Sequence, residues 1–392
     1  MLDQLAPQAP DALLALIKMF ADDERPDKID LGVGVYRTNE GATPVFRAIK
    51  KSEQRLVDEQ DSKSYLGPEG DMGFVEALMP YIFGEDASMG GRIEGMQTPG
   101  GTGAVRLAVS LAQKAGVKRI HMGVPSWPNH AQILADVGVE TVTFVHAGDD
   151  GQADLGAVLG AIRGARPDDA VLLHGCCHNP TGVDYTSDQW AEIARAFAET
   201  GVLPIIDVAY HGLGQGLDED VAGLRMVLAA VPEALVAYSC DKNFGLYRDR
   251  VGAFFMMAKH QDELPAIVSN AYALARANWS MPPDHGGAAV RQILEDADLT
   301  CLWIEELADM RARMRRVRER LAAADNEAPG LGLATLGDQN GLFAMLPLSK
   351  EQIAKLRDDH AIYMAGSGRI NVAGLHAGNT DKFVAALADV AG

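Results

Sequence analysis

The middle of the chain alternates short apolar runs with helical patterns, and this alternation limits the possible folds more than any other feature. RIHMGV (119–124), ETVTFV (140–145), AVLLHG (170–175), VLPIID (202–207), ALVAYS (234–239) and GAFFMMA (252–258) predict buried strands. GAVRLAVSLAQKAG (103–116) and SDQWAEIARAFAETG (187–201) predict helices between them. Such alternation implies an α/β domain on a mostly parallel sheet. Ligands of these sheets gather at the C-terminal ends of the strands. The candidates are therefore Trp127, Asn179, Asp207, Tyr210 and Lys242, each just beyond or at a strand end.

Near residue 300 the texture changes. CLWIEELADMRARMRRVRERLAAA predicts a long charged helix with Leu307, Met310, Met314, Val317 and Leu321 on one stripe. Its arginines read as a solvated face. A smaller α+β segment follows, containing GLFAMLP and RINVAGL. The 392 residues suffice for two domains with a large core. The net charge of −19 argues against nucleic acid and anionic membrane as partners. An anionic substrate would have to be captured by local arginines. No apolar run reaches the roughly 18 residues of a membrane span. The N-terminus has an early Asp and no basic n-region, so it does not read as a signal peptide. Four cysteines, two of them adjacent, suit reduced thiols and a cytoplasmic setting.

TPGGTGAVRLAV (98–109) is a glycine-rich turn opening a helix. Its N–H groups and the helix dipole suit an anion, although a plain tight turn reads equally well. HGCCHNPTG (174–182) holds two His and two Cys, but Cys176 and Cys177 are neighbours and would face opposite sides if extended. No metal is expected there. The stretch reads instead as a strand end and an Asn-Pro-Thr-Gly turn presenting Asn179. Asp207 ends an apolar strand, where a carboxylate needs a partner: a salt bridge or a cationic ligand atom. Lys242 follows the next strand, in SCDKNFGLYRDR (239–250). A lysine in such a site is a Schiff-base candidate, and Ser239 and Arg250 beside it can hold phosphate. Arg369 lies in RINVAGL and could fork a carboxylate.

Together LGVGVYR, YLGPEG, GGTGA, PSWPNH, HGCCHNPTG, DVAY, KNFGLYRDRVG, RANWSMPP and RINVAGL, in that order, resemble the aspartate and aromatic amino acid aminotransferases. These are fold type I enzymes that use pyridoxal 5′-phosphate (PLP). The resemblance implies an N-terminal arm (1–12), a small α+β domain (13–43 and 301–392) and a large PLP-binding α/β domain (44–300). It implies that Lys242 is the covalent anchor and proton-transfer base. Asp207 would pair with the pyridine nitrogen, supported by His130 and His174. Asn179 and Tyr210 would bond the cofactor's phenolic oxygen, and Trp127 would stack on its ring. Gly101, Thr102, Ser239 and Arg250 would form the phosphate cradle, with Tyr65 reaching it from a neighbouring subunit. Arg369 would clamp the substrate α-carboxylate beneath a loop containing Gly34. Arg276, again from the neighbour, would bind a second carboxylate. A homodimer with shared sites follows, acting on amino acids and 2-oxo acids.

The departures from the pattern are SCDK in place of Ser-x-Ser-Lys, Trp279 in place of Tyr, and Met281 where dicarboxylate-specific members usually carry Asn. A carboxylate facing a phosphate repels it, so Asp241 is expected to point away. The leading expectation is transamination of aspartate, and of aromatic amino acids as well, to 2-oxoglutarate. An aromatic preference is the alternative; a PLP lyase or decarboxylase and a non-catalytic binding protein are the weaker ones.

Overall fold

The structure is a computed structural model that describes residues 2–7, 12–148 and 150–391. Of the expected N-terminal arm, positions 1 and 8–11 lie outside them. The chain divides into two compact units, Pro44–Arg313 and Met1–Thr43 with Met314–Gly392. The division falls inside the helix Ala297–Ala323, later than the position 301 that the resemblance implies.

The larger unit is built on a seven-stranded sheet. Its spatial order is Ile93–Pro99, Val251–Met257, Ala234–Ser239, Leu203–Val208, Asp169–His174, Arg119–Val124, Glu140–Val145. Val251–Met257 runs against its two neighbours, and the other pairings are parallel. All six expected strands form. Ile93–Pro99 was not expected: IEGMQTP mixes Glu, Gly, Gln and Pro, and only its place in the sheet makes it a strand. Glu140–Val145 is not buried as its apolar letters suggested. It is one of the sheet's two edge strands, with Val145 49% exposed. Helices fill the faces. The one over Ser187–Thr200 starts with a reciprocal Thr186–Gln189 capping box and ends at Gly201 in the left-handed region. Met96, Leu107, Ile120, Ile205 and Phe254 lie in one core cluster between the sheet and its helices.

The smaller unit carries two short strand pairs: Ile29–Asp30 parallel with Ile362–Tyr363, and Phe343–Met345 antiparallel with Arg369–Asn371. Its core gathers Leu31, Val317, Leu321, Leu346, Ile370 and Phe383. The expected stripe on the long helix is buried at all five positions. The solvated-face reading of its arginines fails at Arg313, 6% exposed, and most completely at Arg318, 1% exposed. Its Nη2 donates to the backbone carbonyls of Asn340, Gly341 and Phe343 at 2.9, 2.9 and 2.6 Å. A guanidinium with five donors can satisfy a run of turn carbonyls that no apolar side chain could.

Candidate active site

Parallel pairing aligns the ends of adjacent strands, and this alignment assembles the site. His174 is the register partner of Asp207, which in turn is the partner of Ala237, two residues before Ser239. Asp207 is buried, and its Oδ2 lies 2.8 Å from His130 Nε2. His130 Nδ1 lies 3.0 Å from Ser126 Oγ, which fixes the ring at both ends. Asp207 Oδ1, His174 Nε2 and Asn179 Oδ1 are buried without a hydrogen-bond partner. Three unpaired polar atoms in one buried region are costly unless a ligand meets them. Asn179 Nδ2 donates to the Tyr210 hydroxyl at 3.3 Å. Trp127 stands at the head of the helix Pro128–Val137, its ring edge-on to His130 at 5.1 Å.

Lys242 is partly buried, with Nζ 5.2 Å from the centre of the Tyr210 ring. Burial lowers its pKa from the usual lysine range, against the pull of Asp241 and Asp207. Arg248 is exposed and Arg250 half-buried.

The glycine turn does open a helix, Gly100–Lys114. A Cβ on Gly101 would lie 2.9 Å from Ser239 Cβ, so only glycine lets the helix start against that serine. Gly100 has φ 69° and abuts Arg250. Backbone N–H groups, a serine hydroxyl and a guanidinium thus converge, as a phosphoryl group requires. Asp241 does not turn away from this cradle. Its Oδ2 accepts from Arg250 Nη1 and its Oδ1 from the Val251 N–H at 3.0 Å. The ion pair offsets part of the cost of burying the carboxylate there, although burial still raises its pKa.

The vicinal cysteines are not extended: Cys177 has φ 51°. The Asp184 carboxylate accepts the N–H groups of Cys177 and His178 at 3.0 and 2.9 Å and shapes this turn. The thiol sulfurs therefore lie within 4.8 Å of each other and of an Asp220 oxygen, not on opposite faces. Asp220 is already engaged, accepting the N–H groups of Gly212, Gly214 and Gln215 at 2.8, 2.9 and 2.7 Å.

In the smaller unit, the Arg369 guanidinium lies 4.5 Å over the Phe343 ring and donates to Gly32 O at 2.8 Å. Asn371 Nδ2 donates to Val33 O and Val35 O at 2.6 and 2.7 Å. The loop holding Gly34 is thereby tied to the Arg369 strand, and a Cβ on Gly34 would strike Phe343 at 2.7 Å. Tyr65 and Arg276 stand apart from the buried cluster. Tyr65 is 94% exposed, and Arg276 is exposed with Nη1 donating to Ser280 Oγ.

Two features escaped the sequence reading. His146 stacks on His178 at 3.5 Å, and His178 meets His174 edge-on at 4.2 Å, so a row of imidazoles leads away from His130. The other is a buried network in which His211 Nδ1 lies 2.7 Å from the Tyr238 hydroxyl, itself bonded by Asn243 Nδ2 at 3.0 Å. His178 was visible in HGCCHNPTG; nothing in the sequence flags His146.

A mostly parallel sheet, a lysine at a strand end, a buried carboxylate and a glycine-opened helix define a fold type I PLP-dependent enzyme. The unpaired Asp207 Oδ1 and the Gly101–Ser239 cradle fit the cofactor's ring nitrogen and its phosphate. Residues 26–387 match the family aminotransferase class I and II. The tyrosine aminotransferase of Rhizobium meliloti (strain 1021) is 50% identical over 376 residues, 96% of each chain. The aspartate aminotransferase of Escherichia coli (strain K12) is 38% identical over the full length of both. The aromatic-amino-acid aminotransferase of Burkholderia pseudomallei, solved covalently bound to pyridoxal phosphate, superposes with a TM-score of 0.94 at 33% identity, covering 99% of this chain and 98% of that one. This chain belongs to the class I and II aminotransferases and uses PLP. The lyase and non-catalytic readings fall with that assignment. Among the described residues no helix is long and apolar enough to cross a membrane.

Proposed function

We propose that the enzyme prefers aromatic amino acids, also accepts aspartate, and passes the amino group to 2-oxoglutarate. One observation carries the order of preference: Trp279 and Met281 stand where the resemblance puts Tyr and Asn in dicarboxylate-specific members. Trp279 packs on the core with a buried Nε1 that has no hydrogen-bond partner, so this stretch offers hydrocarbon surface, not a donor. The half-identical tyrosine aminotransferase supports the same order, in place of the aspartate-first expectation. Aspartate stays a substrate in this reading because the exposed Arg276 can fork a second carboxylate.

The cofactor supplies an electrophilic carbonyl and an electron sink; the side chains supply position and proton transfer. Lys242 is the covalent anchor. Once displaced, its amine, whose pKa burial lowers, would carry the proton away from the substrate Cα. Asp207, oriented by His130, would hold a positive charge on the ring nitrogen, with His174 beside it. Asn179 and Tyr210 would orient the phenolic oxygen and Trp127 would cover the ring. Gly101, Thr102, Ser239 and Arg250 would take the phosphate. Arg369, with the Gly34 loop bound to it, receives the α-carboxylate. Tyr65 and Arg276 serve a neighbouring copy in a cytoplasmic homodimer, a role that their exposure supports.

Steady-state kinetics of an Arg276→Leu variant test this reading. The kcat/KM for aspartate should fall by roughly a hundredfold, the loss of a charge-assisted pair. That for phenylalanine should change by less than about threefold, within the scatter expected when a contact is absent. Intact aspartate activity would remove Arg276 from the site.

A further inference from the structure

The cradle contains a residue that opposes its function. Asp241 is 2% exposed and touches three of the cradle's parts. Its Oδ2 takes Arg250 Nη1, and its N–H donates to Ser239 Oγ at 3.2 Å. A Cβ on Gly100 would lie 2.9 Å from Asp241 Oδ2 and 2.5 Å from Arg250 Nη2, so ion pair and helix start are in contact. Arg250 also donates to Tyr247 O at 3.2 Å and has φ 57°, a left-handed backbone. The guanidinium is therefore held by its own neighbours before any anion arrives.

We propose that Asp241 is an internal competitor for Arg250, occupying its guanidinium in the cofactor-free enzyme and loosening the cradle's hold on a phosphoryl dianion. The proposal rests on the assignment of this cradle to the cofactor's phosphate. The charge balance makes the direction definite. With Asp241 ionised, the Asp241–Arg250 pair adds no net charge, and a dianion meets only N–H dipoles, the Ser239 hydroxyl and a shared guanidinium. It also faces a carboxylate in surroundings of low dielectric, where like charges at contact distances repel strongly. A plain structural ion pair gives the opposite expectation: its loss would disorder Arg250 and weaken anion binding.

The test is inorganic phosphate titrated by calorimetry into cofactor-free wild type, D241S, D241N and R250A at one pH and low salt. D241S restores the hydroxyl type that the resemblance puts at this position. D241N keeps the shape of the carboxylate without its charge and answers the question if D241S does not fold. Tightening of phosphate by about tenfold in either Asp241 variant, equivalent to about 1.4 kcal/mol, is expected. Weakening in R250A is expected as well. Unchanged or weaker binding in the folded Asp241 variants, with R250A still impaired, would overturn the competition alone. Binding unaffected by R250A would overturn the cradle assignment and the competition with it.

Discussion

Lys242 owes its chemistry to its surroundings. A half-buried amine beside the Tyr210 ring has its pKa lowered by desolvation, while Asp241 and Asp207 push the other way. The base must be neutral to accept a proton, so activity should fall as pH drops through that lowered pKa. The acid limb of a kcat–pH profile, which reports groups of the substrate-bound enzyme, should therefore sit below the ordinary lysine range. A limb at the free lysine value would show that burial does not tune this amine. Lys242→Ala should cost about 100- to 10,000-fold in kcat in a coupled assay of 2-oxo acid formation, the usual span for a lost general base. The sequence shows Lys242 clearly because SCDKNFGLYRDR places it after a strand. It conceals Asp241's partner because Asp241 and Arg250 lie nine residues apart across a turn, and only the left-handed Arg250 backbone brings them together.

At the scale of elements, the site depends on the closeness of one strand to one helix start. A Cβ on Gly252 would lie 2.6 Å from the Gly100 carbonyl carbon and 2.6 Å from Tyr238 O, both backbone atoms that cannot move aside alone. Gly252→Ala should lower stability by about 1–3 kcal/mol, as overpacking does, and weaken cofactor binding by moving the Gly100 turn. A urea midpoint and cofactor affinity both equal to wild type would refute that packing account. Strands were legible where the apolar letters ran unbroken, as in VLPIID and ALVAYS. Ile93–Pro99 was not, because its strand character comes from pairing with Val251–Met257 along its whole length. Arg318 was misread for a related reason: periodicity puts it on a charged face, but the turn carbonyls of 340–343 cover that face.

At the scale of the whole molecule, buried histidines set the response to acid. Burial lowers His146 and His211 to about 4 and holds His174 and His178 well below their usual value. Each is neutral when folded yet protonates near pH 6.5 when unfolded. The unfolded chain binds more protons in that window, so stability falls as pH drops from about 6.5 to about 4. Asp220, raised to about 6 by burial, and Asp241, also raised by burial, act in the opposite sense over part of the range, two groups against four. Urea midpoints measured from pH 8 to pH 4.5 should decline steeply below pH 6.5; a flat profile would mean that these rings gain protons without cost.

The central claim is that Lys242 carries the cofactor at the strand ends. Borohydride reduction of the purified enzyme followed by peptide mapping tests it most directly. The pyridoxyl label is expected on Lys242, in the peptide containing SCDKNFGLYR, and on none of the enzyme's other lysines. A label on any other lysine, or no label on a fully active enzyme, would contradict it.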